Sequence, residues 1–166
     1  DPILGSFPWP RSVYADLLDY FELGGARAVV FDILLTERER VSVSDVANLT
    51  DSDQRLVDAS RDSSLPIHAA MFINEQNVIS PSQNRALPDN FSSKFGLQQA
   101  DGLVSNRTND YVLPFRQLTD ASPHIGVVSL DPDSDGIYRR VRLFWEYQQG
   151  VYPALSSAPL MSYLNA

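Results

Sequence analysis

The chain has 166 residues, 43% of them hydrophobic and 20% charged, which is enough apolar material for one ordinary core and too much for a disordered segment. Its formal net charge of -8 argues against nucleic acid or an anionic membrane surface as the main partner. There is no cysteine, so disulfides, thiolate catalysis and cysteine metal sites are excluded. All but one of the 13 basic residues are arginines, with Lys94 the single lysine.

In chain order, Pro10 suits the start of a helix, and Val13, Leu17, Tyr20 and Phe21 recur at helical spacing behind it. Gly24 and Gly25 supply a left-handed stop. The apolar run Ala28–Leu35 reads as a strand covered on both faces. Thr36–Val43 is polar and reads as a loop. Thr50 is a suitable N-cap for a helix to about Asp62, with Asp51 and Asp53 complementing its dipole.

Pro66–Ile73 reads as a second buried strand, Asn74–Pro88 as a long surface excursion, and Phe91–Gln99 as a short helix. Leu103–Asn106 fits another strand, and Arg107–Pro123 a second long connection. His124–Leu130 and Ile137–Tyr147 are expected to form a hairpin around an acidic turn. Pro153 is expected to open a last helix reaching about Leu164, kinked at Pro159. The expected fold is one α/β domain spanning 1–166, a mixed β-sheet flanked by helices that ends in a β-hairpin and a C-terminal helix.

The turn Asp131-Pro132-Asp133-Ser134-Asp135-Gly136 admits three chemistries. It opens like a calcium loop, but the twelfth position, where a bidentate Glu belongs, is Arg142. Val127–Asp133 also resembles the strand and paired aspartates of haloacid-dehalogenase-like phosphatases, which gives a small metal-dependent phosphohydrolase using Asp131 and Asp133 as an alternative function. The segment after the turn, Gly136–Ala166, has no lysine and too few elements for that fold.

Strand alternation offers the third reading. Ile137, Arg139, Val141, Leu143 and Trp145 would share one face, with Tyr138, Arg140, Arg142 and Glu146 on the other. Arg139 would then be a cation on an apolar face, and Asp32 an acid inside a buried strand, so the two are expected to pair at a common sheet edge. A structural ion pair and a ligand site both fit such a pairing. His68 and His124 have no partner at metal spacing and read as ordinary strand histidines. No cofactor motif and no nucleophile-and-base signature is present.

Several short segments, in this order and spacing, resemble the CHASE sensor domains, type two. They are Phe7-Pro8-Trp9-Pro10-Arg11, Ala28–Leu34, an acid near Asp45, Gly126-Val127-Val128, Asp133–Val141 and Tyr152-Pro153-Ala154-Leu155. The resemblance implies an extracytoplasmic (periplasmic or cell-surface) sensor, not an enzyme, in a membrane-anchored bacterial receptor with a cytoplasmic cyclase or kinase output. A small-molecule ligand of unstated identity is implied, and no catalytic residue carries over. The expected recognition edge comprises Arg11, Asp32, Glu37, Asp135, Arg139 and Arg140. A homodimer, or a dimerisation module without a ligand, is the remaining alternative.

Overall fold

The computed structural model describes residues 7–39, 49–74, 86–97, 108–148 and 150–164. The expected strand at Leu103–Asn106, the acid at Asp45 and most of the 74–88 excursion lie outside them.

Helix α1 (Arg11–Leu23) starts directly after Pro10 and ends at Gly24, with Gly25 at φ +76°. That left-handed residue lets the Ala26 N–H reach back to the Phe21 carbonyl. The buried face is Tyr14, Ala15 and Leu18, not the expected Val13, Leu17, Tyr20 and Phe21. Tyr20 and Leu23 are 71% and 90% exposed. Both faces carry apolar residues, and packing against α2 (Asp51–Asp62) decides which one turns inward.

Helix α2 begins as its sequence dictates. Thr50 accepts from the Asp53 N–H at 3.0 Å, and the Asp53 side chain reaches back to the Thr50 N–H in a capping box. Asp53 is fully buried and also accepts from the Glu39 N–H at 3.0 Å. A carboxylate can be held there because backbone donors replace its water.

Strand β1 is only Val29–Phe31, although the apolar run continues; the chain leaves the sheet after Phe31. Strand β2 (Pro66–Asn74) is the spine of the molecule. Its first half lies between β1 and β4 (His124–Val127), both parallel to it, with Val30 opposite Ile67 and Gly126 opposite Ala69. Its second half pairs antiparallel with β3 (Thr108–Val112), Phe72 opposite Tyr111. Strand β3 meets β5 (Phe144–Tyr147), which forms a hairpin with β6 (Gly150–Pro153). Short helices α3 (Phe91–Phe95), α4 (Arg116–Ala121) and α5 (Ala158–Leu164) complete the chain.

The mixed α/β class, the closing hairpin and the C-terminal helix match expectation, but the hairpin is a different one. β4 stops at Val127, β5 starts at Phe144, and 128–143 is a largely exposed excursion outside the regular strands. The alternation proposed for 137–147 buries side chains only at Trp145 and Tyr147. Strand β3 and helix α4 lie where a connection was expected, and Pro153, expected to open the last helix, instead ends β6, so that helix starts only at Ala158. Pro159 sits in the first turn of α5, where it needs no kink.

Alternation along β2 distributes the core. Ile67 and Ala69 face Leu155 and Ala158 on the α5 side. Phe31, Leu56, Val57 and Leu118 join Tyr14 and Leu18 between the sheet and helices α1, α2 and α4. Phe72, Phe91, Phe95, Trp145, Tyr147 and Tyr152 form an aromatic cluster at the hairpin end. Among the described residues no helix is long and apolar enough to cross a membrane.

Candidate functional site

The expected recognition residues fall into separate groups. Arg11 opens α1, and its guanidinium donates to the Glu37 carbonyl at 3.3 Å while its backbone N–H donates to the Glu39 carboxylate. Glu39 in turn sits on Asp53 and Thr50, so the amino ends of α1 and α2 are tied together by carboxylates. Sequence reading identified Arg11 and Glu37 but missed Glu39 and the second use of Asp53. Asp32 lies just beyond β1 and is exposed.

Asp135, Arg139 and Arg140 belong to the 128–143 excursion. Gly136, at φ +81°, closes the turn, with the Gly136 N–H on the Asp133 carbonyl at 2.8 Å and the Asp133 N–H on the Ile137 carbonyl at 3.0 Å. Arg139 pairs with Asp135 at 2.8 Å and Asp133 at 3.3 Å, and Arg140 approaches Asp133 at 3.8 Å. The Ile137 N–H, followed by Arg139, holds the Asp135 carboxyl below its ordinary pKa.

The expected Asp32–Arg139 pair is therefore corrected. Neither residue is buried, so no desolvation drives them together, and Arg139 finds its carboxylates within its own turn. Arg139→Ala should move the melting midpoint by less than about 4 °C, because exposed pairs contribute little. A thermal melt showing a larger loss would mean that this turn supports the core.

The turn also explains itself without a cation. Arg142, at the position where a calcium loop has its glutamate, donates to Asp131 at 2.8 Å. The arginine forks supply the positive charge that the three aspartates face. Among the described residues no group of three or more His, Asp or Glu side chains is placed to hold a metal.

A concave site lies elsewhere, at the amino ends of β1, β2 and β4. This cleft of about 680 Å³ is closed on one side by the end of α3 and on another by α5. Lys94 and His124 line it, with Arg27 at the approach to β1 and Ser162 and Tyr163 on α5. His124 Nε2 is 3.2 Å from Ser162 Oγ. Burial pushes the His124 pKa down, opposed by its hydrogen bond to the Ser64 backbone. The Lys94 ammonium donates to the Asp120 carbonyl at 2.7 Å. Partial burial lowers its pKa, and the Asp120 charge offsets this in part. The Arg27 guanidinium lies 5.1 Å from the centre of the Tyr163 ring.

None of these residues was singled out as a site in the sequence. The one available signal was Lys94, as the only lysine of the chain.

No curated protein and no solved structure matches the chain. The model of the CHASE2 domain matches residues 1–166, the whole sequence. The match over its full length places this chain in the CHASE2 domain family, a family of extracytoplasmic sensory domains.

Proposed function

We propose that residues 1–166 form a single sensor domain of a bacterial membrane-anchored receptor, receiving a small molecule and relaying its presence to a cytoplasmic cyclase or kinase. The observation that carries this reading is the composition of the cleft wall: α5, the last described element, supplies Met161, Ser162 and Tyr163 to it. A ligand touching both α5 and the strand ends would favour one position of that helix over another. Differential affinity of this kind is the only source of such a signal, and couplings of about 1–3 kcal/mol are typical.

A metabolite screen by thermal shift tests the reading. A compound at about 100 times its Kd should stabilise the domain by about 2.7 kcal/mol. Met161→Trp, which places an indole in the cleft, should remove that stabilisation. The same compound should alter the output of the intact receptor. A ligand whose effect survives Met161→Trp would put the receiving site elsewhere, and a parent protein without membrane-spanning neighbours would end the receptor reading.

A second copy of the chain is a partner that the outer side of α1 suits, since Leu17, Tyr20, Phe21 and Leu23 are bare there. Sedimentation over a concentration series would show a dimer if this side is an interface, and a monomer throughout would exclude it at those concentrations.

A further inference from the structure

The charge of the cleft runs against the charge of the chain. The sequence has 21 acidic and 13 basic residues, yet the charged residues that line the cleft are Arg27 and Lys94, with titratable His124 between strand and helix, and no aspartate or glutamate. The single lysine of the protein is at this place. We propose that the cleft takes a small anion, a molecule presenting a carboxylate or a phosphate group, which Lys94, Arg27 and the hydroxyls of Ser162 and Tyr163 would hold.

The local chemistry favours that class over a cation or a neutral compound. An ammonium has three donors, and the hydrogen bond of Lys94 to the Asp120 carbonyl uses one of them. The carboxylate that acts on Lys94 is that of Asp120, and it stands 3.7 Å from Arg116 on the same helix. Lys94 is exposed and keeps two donors for a bound anion, and the carboxylate beside it is shared with a second cation, Arg116. Arg27 is held over Tyr163 and presents a planar fork suited to either oxyanion.

His124 adds a proton-dependent donor. Its Nε2 faces Ser162, and an anion nearby would favour the imidazolium over the neutral ring. The net negative charge of the protein does not oppose this at short range, because fields beyond about 8 Å are screened at physiological salt. The volume suits a metabolite rather than a polymer. Phe95, Ile125 and Pro153 offer apolar contact to the rest of such a molecule.

This inference rests on the cleft being the receiving site of the sensor. Its test uses inorganic phosphate, malonate and the uncharged malonamide as probes, titrated into the isotope-labelled protein at constant ionic strength, with the amide signals of Lys94, His124 and Ser162 followed by NMR. Phosphate or malonate should shift these signals to saturation while malonamide does not. Lys94→Gln, which keeps a donor for the Asp120 carbonyl, should weaken the anion about tenfold, and Arg27→Gln should do the same.

Equal binding of malonamide and malonate would overturn the choice of an anion and leave the ligand-receiving role of the cleft intact. Anion affinity unchanged in both variants would overturn it as well, as would shifts that fail to saturate with either anion. The receptor reading is decided separately, by the output of the intact protein.

Discussion

Lowering the pH below the ordinary histidine pKa should weaken the native state steadily, and replacing His68 should flatten that dependence. His68 is fully buried on β2. Its ring stacks on Phe31 with centroids 5.0 Å apart and planes 10° from parallel. Nε2 meets the Ser60 hydroxyl at 3.0 Å, while Nδ1 has no hydrogen-bond partner among the described residues. Burial without a carboxylate holds the pKa at about 3, against the ordinary 6.5.

The sign follows directly. Above 6.5 neither state binds the proton, and the full stability is present. Between 6.5 and about 3 the unfolded chain binds a proton that the native state refuses, so stability is lost as pH falls, by about 1.4 kcal/mol per pH unit. His124, also held low by burial, acts in the same direction. Asp58 and Asp135, whose pKa values are lowered, add their losses only in the more acidic carboxylate range.

Urea unfolding at a series of pH values down to about 5 therefore reads the histidines. His68→Gln retains a partner for Ser60 but loses the ring stack. It should be less stable at neutral pH and show a shallower slope. A wild-type free energy that stays level across this interval would refute the burial argument.

Gly126→Ala should destabilise the fold by about 1–3 kcal/mol, the usual cost of overpacking. An added Cβ would lie 2.6 Å from the Leu155 Cα and 2.8 Å from its Cδ1. The first is backbone and cannot rotate away, and the Leu155 N–H is bonded to the Val127 carbonyl at 2.8 Å, so the segment entering α5 must move as a whole. The sign is diagnostic, because Gly within a strand is otherwise a weak choice and alanine would be expected to help. Chemical denaturation measures the loss, and a variant as stable as the wild type would show that β4 and Leu155 can separate freely. The amide signals of 158–164 should shift as well, since the displaced segment carries that helix.

The parts of the fold that could be read from the chain are those fixed by local chemistry. Thr50 and Asp53 announce the start of α2, Gly25 ends α1, and the unbroken apolar run from Pro66 identifies the central strand. The failures share a cause in tertiary choice. Alternation at Ile137, Arg139, Val141 and Leu143 shows an extended chain, but a strand also needs a neighbour. Here aspartates and arginines of the same excursion satisfy one another instead.

Helix α1 has apolar residues on two sides, and only the position of α2 selects between them. Asp32 looked buried because Val29, Val30 and Phe31 precede it, yet the strand ends one residue earlier. The cleft was illegible for a different reason. Arg27, Lys94, His124 and Ser162 come from four distant segments with no common spacing, and only folding assembles them.

Helix α5 has seven residues, roughly two turns, and isolated helices shorter than about 12 residues are marginal in water. It therefore owes its shape to what it leans on: Ala158 against Ile67 and Ala69, and the Ser157 hydroxyl on the Leu143 carbonyl at 2.6 Å. An element so weakly self-sufficient is cheap to tilt, lengthen or release. A contact difference of about 1.4 kcal/mol changes the ratio of two arrangements tenfold, so under the sensor role proposed above a single well-placed hydrogen bond would suffice to favour one position of this helix.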